Sequence, residues 1–299
     1  MCTSSSPSIR FSYPLLISLH VSYVIAILFP LPIMPTLDET TYSREATIAA
    51  FRDYYKFLID MSLPDNWILE PPAGGWPSIT KEKAELLGKN DEVYELMRHL
   101  PYLPNSCLLV ARAPAANWSS VFEKRNFNQQ DIGIITEGLE WPNIPSSAFG
   151  LTRGGRDDFV FILDTRFGTV HWLEDPDIDF DSTKQPIIGP SGGTESFEDC
   201  TPENEHGWRS QTAWTIPDFF EVLKNEFRTL RSVPVDACQV EYWFGDEDYE
   251  ALEEPDEGAN LIRSIRDTYL EHGWPDMSVY QKDKCQDAVN KLIESSEEQ

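Results

Sequence analysis

The sequence predicts an α+β fold in which a central antiparallel sheet of short strands is flanked by N-terminal and C-terminal helices. Helical hydrophobic spacing dominates residues 43–100 and returns after residue 215, whereas the middle of the chain contains short apolar runs bounded by proline, glycine or aspartate. This segregation of helices from strands favours an α+β domain over an alternating parallel one. With 299 residues, the chain is long enough to bury a substantial hydrophobic core.

Three helices are predicted near the N-terminus. Over residues 43–61, apolar side chains recur at intervals of three and four, which is the spacing of an amphipathic helix. Thr80 is expected to cap a short second helix that ends at Gly88. Asn90 is expected to cap a third helix, with acidic residues in its first turn and basic residues in its last, and Pro101 ends it.

The middle of the chain predicts strands. The apolar runs 107–110, 132–135 and 159–163 are each bounded by residues that favour turns, so all three are predicted to be strands. Residues 158–173 predict a hairpin, because two such runs flank a turn that contains Gly168. Glycine tolerates the positive φ that this kind of turn often needs.

The remaining elements are predicted from composition and from capping patterns. Residues 174–207 are acidic and rich in proline, glycine and serine, which predicts a long mobile surface loop. Thr215 begins a helix that has proline in its first turn, and residues 240–244 predict a last strand. Residues 246–257 predict an acidic spacer.

Two further helices are predicted after this spacer. The first covers residues 261–270 and is ended by Gly273 and Pro275. The second covers residues 278–293, where Ser278 and Gln281 have the spacing of a capping box.

The chain is predicted to have three parts. Segment 1–33 is apolar over residues 11–33, and we interpret it as a gene-model extension or a signal-anchor. If translation starts at Met34, the protein is expected to be cytoplasmic or nuclear; otherwise residues 11–33 would make it membrane-anchored or secreted. Residues 34–245 predict the acidic α+β domain, and residues 246–299 predict the spacer with a helical extension packed on that domain.

The charge of the chain constrains its partners. It contains 50 acidic and 24 basic residues, which gives a formal net charge of −26. A surface with this much negative charge repels phosphate groups. The charge therefore argues against nucleic acid and against anionic membrane surfaces as partners. The charge suits either simple solubility, which is the preferred interpretation, or a protein partner, for which a basic one fits best. The five cysteines are widely spaced and form no CxxC pair, which favours reduced thiols.

Catalytic and metal-binding motifs are weak in this sequence. A histidine with nearby carboxylates can perform acid–base chemistry, so His171 with Asp164 or Glu174 is the alternative hydrolase or transferase site. A structural role for Asp164 and His171 is preferred over a catalytic one, because Asp164 ends a predicted strand and His171 alternates with apolar neighbours. No spacing fits a phosphate loop, a zinc site or a calcium loop, so the sequence predicts no catalytic residue, no metal site and no cofactor.

Binding residues are predicted where large aromatic side chains lie in turns. The chain contains nine tryptophans, and several stand beside glycine or proline. A rigidly held aromatic residue is a good anchor at a protein interface, although it is equally suited to covering a core. The candidate binding residues are Gly75, Trp76, Trp141, His206, Trp208 and Trp274.

Several motifs resemble a protein family of filamentous fungi that has no established activity, over nearly all of the chain from Met34 onward. The motifs are Gly75-Trp76-Pro77-x-Ile79-Thr80, Glu92-Val93 through Leu100-Pro101-Tyr102, Leu163-Asp164-Thr165 with Gly168, Trp214-Thr215-Ile216-Pro217-Asp218-Phe219-Phe220, and His272-Gly273-Trp274-Pro275 followed by Cys285. More distantly, the order of helix, Leu-Pro, strands and aromatic-rich helix resembles the SUKH superfamily, which includes fungal cell-wall-assembly regulators and bacterial toxin-immunity proteins. This resemblance implies an α+β interaction module without catalysis.

The function predicted from the sequence is therefore that of a non-catalytic intracellular protein-interaction or regulatory module. One alternative is the hydrolase or transferase that uses His171. The other is a membrane-anchored luminal protein, which depends on residues 11–33.

Overall fold

The computed structural model describes residues 40–124, 128–138, 144–155, 157–173, 184, 186–187, 206–251 and 257–297. The predictions for segment 1–33 and for most of the loop 174–207 therefore lie outside the described residues. Within these ranges, no helix combines the length and the apolar character needed to cross a membrane.

The helices and strands occur in the predicted order of helices, strands and helices. The helices are α1 (Arg44–Met61), α2 (Lys81–Leu86), α3 (Asp91–His99), α4 (Trp118–Glu123), α5 (Gln129–Glu137), α6 (His206–Arg209), α7 (Ile216–Arg228), α8 (Asp246–Glu250), α9 (Glu257–Glu271) and α10 (Lys282–Glu297). The strands are β1 (Leu108–Val110), β2 (Ala113–Pro114), β3 (Ala148–Gly150), β4 (Val160–Asp164), β5 (Thr169–Leu173), β6 (Ala213–Thr215), β7 (Ser232–Pro234) and β8 (Val240–Tyr242).

The central sheet is antiparallel and contains four strands in the order β3-β4-β5-β6. Two smaller antiparallel pairs, β1-β2 and β7-β8, lie outside it. The predicted α+β class with a central antiparallel sheet is thus confirmed. The predicted hairpin is β4-β5, in which Ile162 pairs with His171 and Asp164 pairs with Thr169. Gly168 in its turn has the expected positive φ of 68°.

The sheet buries both of its faces. Side chains alternate between the two faces of a strand, so one face of the β4-β5 hairpin belongs to the main core and the other to a second layer. The main-core face consists of Phe161, Leu163, Val170 and Trp172. The second face includes Ile162 and Leu173, which pack with Ala148 and Trp208. Asp164 and His171 are also on this second face, because they alternate with the main-core residues.

Helix α7 links the sheet to the N-terminal helices. Its Phe219 contacts Phe161 of β4 edge-on, with ring centroids 5.0 Å apart. The adjacent Phe220 lies 4.8 Å from Phe51 of α1 in the same geometry. Edge-to-face aromatic pairs of this kind add roughly 0.5–1.5 kcal/mol each to the stabilisation from burial. Tyr54 of α1 extends the contact by donating a hydrogen bond to the carbonyl of Leu109.

The predicted helix caps are confirmed at three positions. Thr80, Asn90 and Thr215 each accept a hydrogen bond through a side-chain oxygen from the backbone N–H three residues later. Each bond satisfies one of the N–H groups that a helix leaves unpaired in its first turn. These starts were predictable because the capping contact is local in sequence.

The predicted strand at residues 132–135 is wrong, because this segment belongs to α5. Asn128 caps the helix by accepting a hydrogen bond from the backbone N–H of Gln130. Ile132 and Thr136 are buried, whereas Ile134 is exposed, which is the pattern of a helix with one buried face. A short apolar run fits both kinds of element, and tertiary packing decides between them.

Two predictions near the C-terminus also need correction. Helix α10 begins at Lys282, and the backbone before it forms a turn in which the Asp276 carboxylate accepts hydrogen bonds from the N–H and hydroxyl of Ser278. The hydroxyl of Ser278 is therefore used within this turn and does not cap the helix. The predicted acidic spacer contains helix α8, whose Tyr249 is buried against Trp243 with ring centroids 5.3 Å apart.

The C-terminal helices pack against the end of α1. The hydroxyl of Tyr280 donates a hydrogen bond of 2.7 Å to the carbonyl of Met61. The Lys282 ammonium donates one of 2.7 Å to the carbonyl of Leu63. Carbonyl groups at and just after the C-terminal end of α1 therefore accept hydrogen bonds from residues more than two hundred positions later in the chain.

Three cysteines lie in the described part of the chain, and none of them forms a disulfide there. Cys107 and Cys285 are buried, whereas Cys238 is exposed. Burial raises the pKa of the Cys107 thiol to about 12. This thiol is protonated at neutral pH, so it does not have the thiolate character of a nucleophile.

Candidate functional site

The predicted aromatic corner at Gly75 and Trp76 closes the end of helix α3. The backbone N–H of Trp76 donates a hydrogen bond of 2.9 Å to the carbonyl of Arg98. Its indole N–H donates one of 2.8 Å to the carbonyl of Leu100. The ring is half-buried against Tyr102, with centroids 5.9 Å apart. Trp76 thus satisfies helix-terminal carbonyls, and it presents only part of its ring at the surface.

Trp208 and Trp274 are both buried, with exposed fractions of 2% and 3%. The ring of Trp208 contacts His171 with centroids 4.9 Å apart. The indole N–H of Trp274 donates a hydrogen bond of 2.8 Å to the carbonyl of Phe227. Both rings therefore pack within the core in this structure, and their predicted role in binding stays a prediction.

Three other candidates fall partly or wholly outside the described residues. Trp141 and Glu174 are not described. His206 is the first residue of α6, and only its backbone is described. The prediction that these residues contribute to a binding surface is therefore not tested by the described part of the chain.

Asp164 lies at the centre of a buried network of polar side chains. One carboxylate oxygen accepts hydrogen bonds of 3.0 and 2.8 Å from Nε and Nη2 of Arg209. The other oxygen accepts hydrogen bonds from the hydroxyl of Ser147 and the backbone N–H of Arg166. The Arg209 guanidinium also stacks over the ring of Trp208 at 4.5 Å. Both partners of this ion pair are fully buried.

His171 is on the same sheet face as Asp164, and it is also fully buried. Its Nε2 lies 3.1 Å from the hydroxyl of Thr169. Burial is the main reason why the pKa of His171 is lowered to about 3, and the nearby positive charge of Arg209 adds to the effect. The imidazole is therefore neutral at physiological pH.

This cluster has the character of a structural network. Asp164 is held by Arg209, and the imidazole of His171 is within hydrogen-bonding distance of the Thr169 hydroxyl. Neither group is accessible to a substrate in this structure, because both have no exposed surface. Among the residues that the structure describes, no group of three or more histidine, cysteine or acidic side chains is placed to hold a metal ion.

An exposed surface that the sequence did not single out lies around helix α8. We call it the acidic-aromatic surface, and it consists of Phe244, Asp246, Glu247, Asp248 and Glu250. Phe244 is 39% exposed. All four carboxylate residues are exposed. The only ion pair that this surface makes with the described residues joins Asp246 to a side chain of α9.

The aromatic part of this surface rests on a rigid support. The ring of Phe244 stacks on that of Trp243 with centroids 5.2 Å apart and an interplanar angle of 23°. Trp243 is 3% exposed, so it anchors its neighbour to the core. The Arg266 guanidinium lies 5.7 Å from the centre of the Trp243 ring. Its Nη2 forms an ion pair with Oδ2 of Asp246 at 3.2 Å. Two adjacent aromatic residues before an acidic run were visible in the sequence, but their opposite exposures were not.

No protein-family model, no curated protein and no solved structure matches this chain, so its family membership stays a prediction.

The aromatic corner predicts different effects for two adjacent glycine substitutions. Gly75 has a φ of +76°, and an added Cβ would lie 2.6 Å from Cγ of Arg98. We expect Gly75→Ala to lower the free energy of unfolding by about 1–3 kcal/mol, measured by chemical denaturation. Gly74→Ala is the control, because a Cβ there meets nothing within 4 Å. Equal stability of the two variants would contradict this account of the corner.

The buried ion pair predicts non-additive effects of substitutions. Asp164→Asn removes the described countercharge of the buried Arg209 guanidinium, so we expect it to lower the free energy of unfolding by about 3–5 kcal/mol. The double variant Asp164→Leu/Arg209→Met removes both charges and is expected to be more stable than Asp164→Asn. Denaturant titration of the single and double variants measures the difference. A double variant less stable than Asp164→Asn would argue against this role of the pair.

The lowered pKa of His171 predicts a loss of stability in acid. Between the unfolded pKa of about 6.5 and the folded pKa of about 3, only the unfolded chain binds the proton, so stability falls as the pH falls through this window. Relative to His171→Gln, the wild type is expected to lose about 2 kcal/mol more between pH 6.5 and pH 5. Denaturation curves at the two pH values test this, and parallel losses in both proteins would exclude it.

Proposed function

We propose that this chain is a non-catalytic interaction module whose acidic-aromatic surface binds a lysine- or arginine-rich segment of another protein. The observation that carries the proposal is the position of Phe244. Its exposed ring stacks on the buried Trp243 and lies beside carboxylates, and among these only Asp246 forms an ion pair with the described residues.

The support under Phe244 favours binding. A ring that is already held against Trp243 loses little conformational freedom when a partner covers it, and such preorganised aromatic anchors contribute strongly at interfaces. An arginine side chain can stack on the outer face of Phe244 in a cation–π contact, which contributes roughly 0.5–1 kcal/mol at an exposed site.

The charge of the surface favours a basic partner. Glu247, Asp248 and Glu250 form no ion pair with any of the described residues. They are therefore free to pair with lysine or arginine side chains of a partner. The net charge of −26 extends this attraction beyond contact distance and accelerates encounter with a positively charged segment.

The buried state of Asp164 and His171 supports the non-catalytic part of the proposal. An interaction role also agrees with what the resemblance to the SUKH superfamily implies. A cytoplasmic or nuclear location, which depends on translation from Met34, belongs to the same proposal.

The test is binding of a fluorescein-labelled arginine–serine repeat peptide, measured by fluorescence anisotropy. The triple variant Glu247→Gln/Asp248→Asn/Glu250→Gln is expected to bind the peptide about tenfold more weakly than the wild type. Phe244→Ala is expected to bind it about threefold more weakly, because the stacking partner is lost. Added salt is expected to weaken binding to the wild type more than binding to the triple variant.

The control is Asp283→Asn/Asp287→Asn/Glu294→Gln on the exposed side of α10, which changes the net charge by the same amount. It is expected to bind like the wild type. If it loses as much affinity as the α8 triple variant, attraction follows total charge alone and the proposed surface is wrong. Unchanged binding by Phe244→Ala would likewise remove the aromatic anchor from the proposal.

A further inference from the structure

A cleft of about 340 Å³ lies beside helix α5, away from the acidic-aromatic surface in sequence. This volume is within the range of sites that bind small molecules. Leu87, Ile132 and Ile144 contribute apolar side chains to its lining. The exposed Gln129 and Gln130 lie at its rim.

Two charged side chains also line the cleft. The Lys89 ammonium lies 2.5 Å from a carboxylate oxygen of Glu137, and their side chains are 3% and 15% exposed. Burial raises the pKa of Glu137, while the positive charge of Lys89 acts in the opposite direction. The pair joins the segment before α3 to the last turn of α5. It therefore places one donor and one acceptor, with no net charge, at the wall of the cleft.

The pair retains hydrogen-bonding capacity that it does not use internally. An ammonium group has three N–H donors, and the described hydrogen bond of Lys89 to Glu137 uses one of them. The same bond uses one of the two carboxylate oxygens. A purely structural ion pair contributes little net stability once the desolvation of both charges is counted. A ligand in the cleft could use the remaining N–H donors of Lys89 and the second carboxylate oxygen of Glu137.

Gly133 keeps the middle of the cleft open. It lies in α5 and lines the cleft, and a Cβ added to it would meet nothing within 4 Å. Glycine is less favourable than alanine inside a helix. The absence of a side chain at this position thus lowers helix stability while it leaves space in front of the Lys89–Glu137 pair.

We propose that this cleft binds a small neutral ligand that presents an amide edge, with a carbonyl oxygen beside an N–H group, on an apolar body. Lys89 would donate to the carbonyl, and Glu137 would accept from the N–H. The aliphatic side chains of Leu87, Ile132 and Ile144 would contact the apolar body.

The chemistry of the cleft selects against charged ligands. The Lys89–Glu137 pair is neutral as a unit, so a bound anion or cation would add an uncompensated charge beside it. An amide uses one donor and one acceptor and adds no charge, and the ion pair stays intact. This inference does not depend on the proposed binding of basic segments, because the two sites share no residue.

The test compares three fragments of nearly the same shape, namely benzamide, benzoate and benzylamine, by ligand-observed NMR on the full-length protein. Benzamide is expected to bind with a dissociation constant on the order of 1 mM, as small fragments do. Benzoate and benzylamine are expected to bind about tenfold more weakly or worse. If either charged fragment binds the wild type as well as benzamide does, or if benzamide does not bind, the proposal is overturned.

Two variants locate the binding. Gly133→Leu fills the cleft and removes a helical glycine, so the fold is expected to be retained while benzamide binding is lost. Asp131→Leu is the control, because it adds the same side chain to an exposed position of α5 that does not line the cleft. Lys89→Met/Glu137→Leu is expected to weaken benzamide binding about tenfold. Unchanged affinity in Gly133→Leu would place the ligand elsewhere and overturn the proposal.

Discussion

The ion pair between Asp164 and Arg209 is the constraint on which the sheet depends. Asp164 ends β4, and the same carboxylate holds the turn of the hairpin through the N–H of Arg166 and the segment before β3 through Ser147. Arg209 ends α6, which leads into the edge strand β6. One buried carboxylate thereby fixes four parts of the second sheet face. Because neither charge meets solvent, the loss of either one removes a countercharge from a buried group.

The main core does not depend on a single pair of residues in this way, because aromatic and aliphatic packing tolerates small adjustments. Helix α7 presents Phe219 to the sheet and Phe220 to α1, so two layers are joined by adjacent residues of one helix. The molecule thus combines an apolar layer that supplies most of the burial with a polar layer that specifies how the strands are arranged.

The parts of the fold that could be predicted from the sequence are those that local interactions determine. Caps such as Thr80 and the turn at Gly168 involve atoms only a few residues apart. The three-residue strands β3, β6 and β7 were missed, because their pairing depends on distant partners. For the candidate sites, Lys89 and Glu137 are 48 residues apart, and Asp164 and Arg209 are 45 apart. No spacing rule connects such pairs, and a tryptophan beside glycine can be either buried or exposed.

The hydrogen bonds from Tyr280 and Lys282 to the end of α1 have a consequence for biosynthesis. The carbonyls of Met61 and Leu63 receive these partners only after the C-terminal residues have left the ribosome. During elongation, water satisfies these carbonyls until residues 280–282 have emerged and can donate to them.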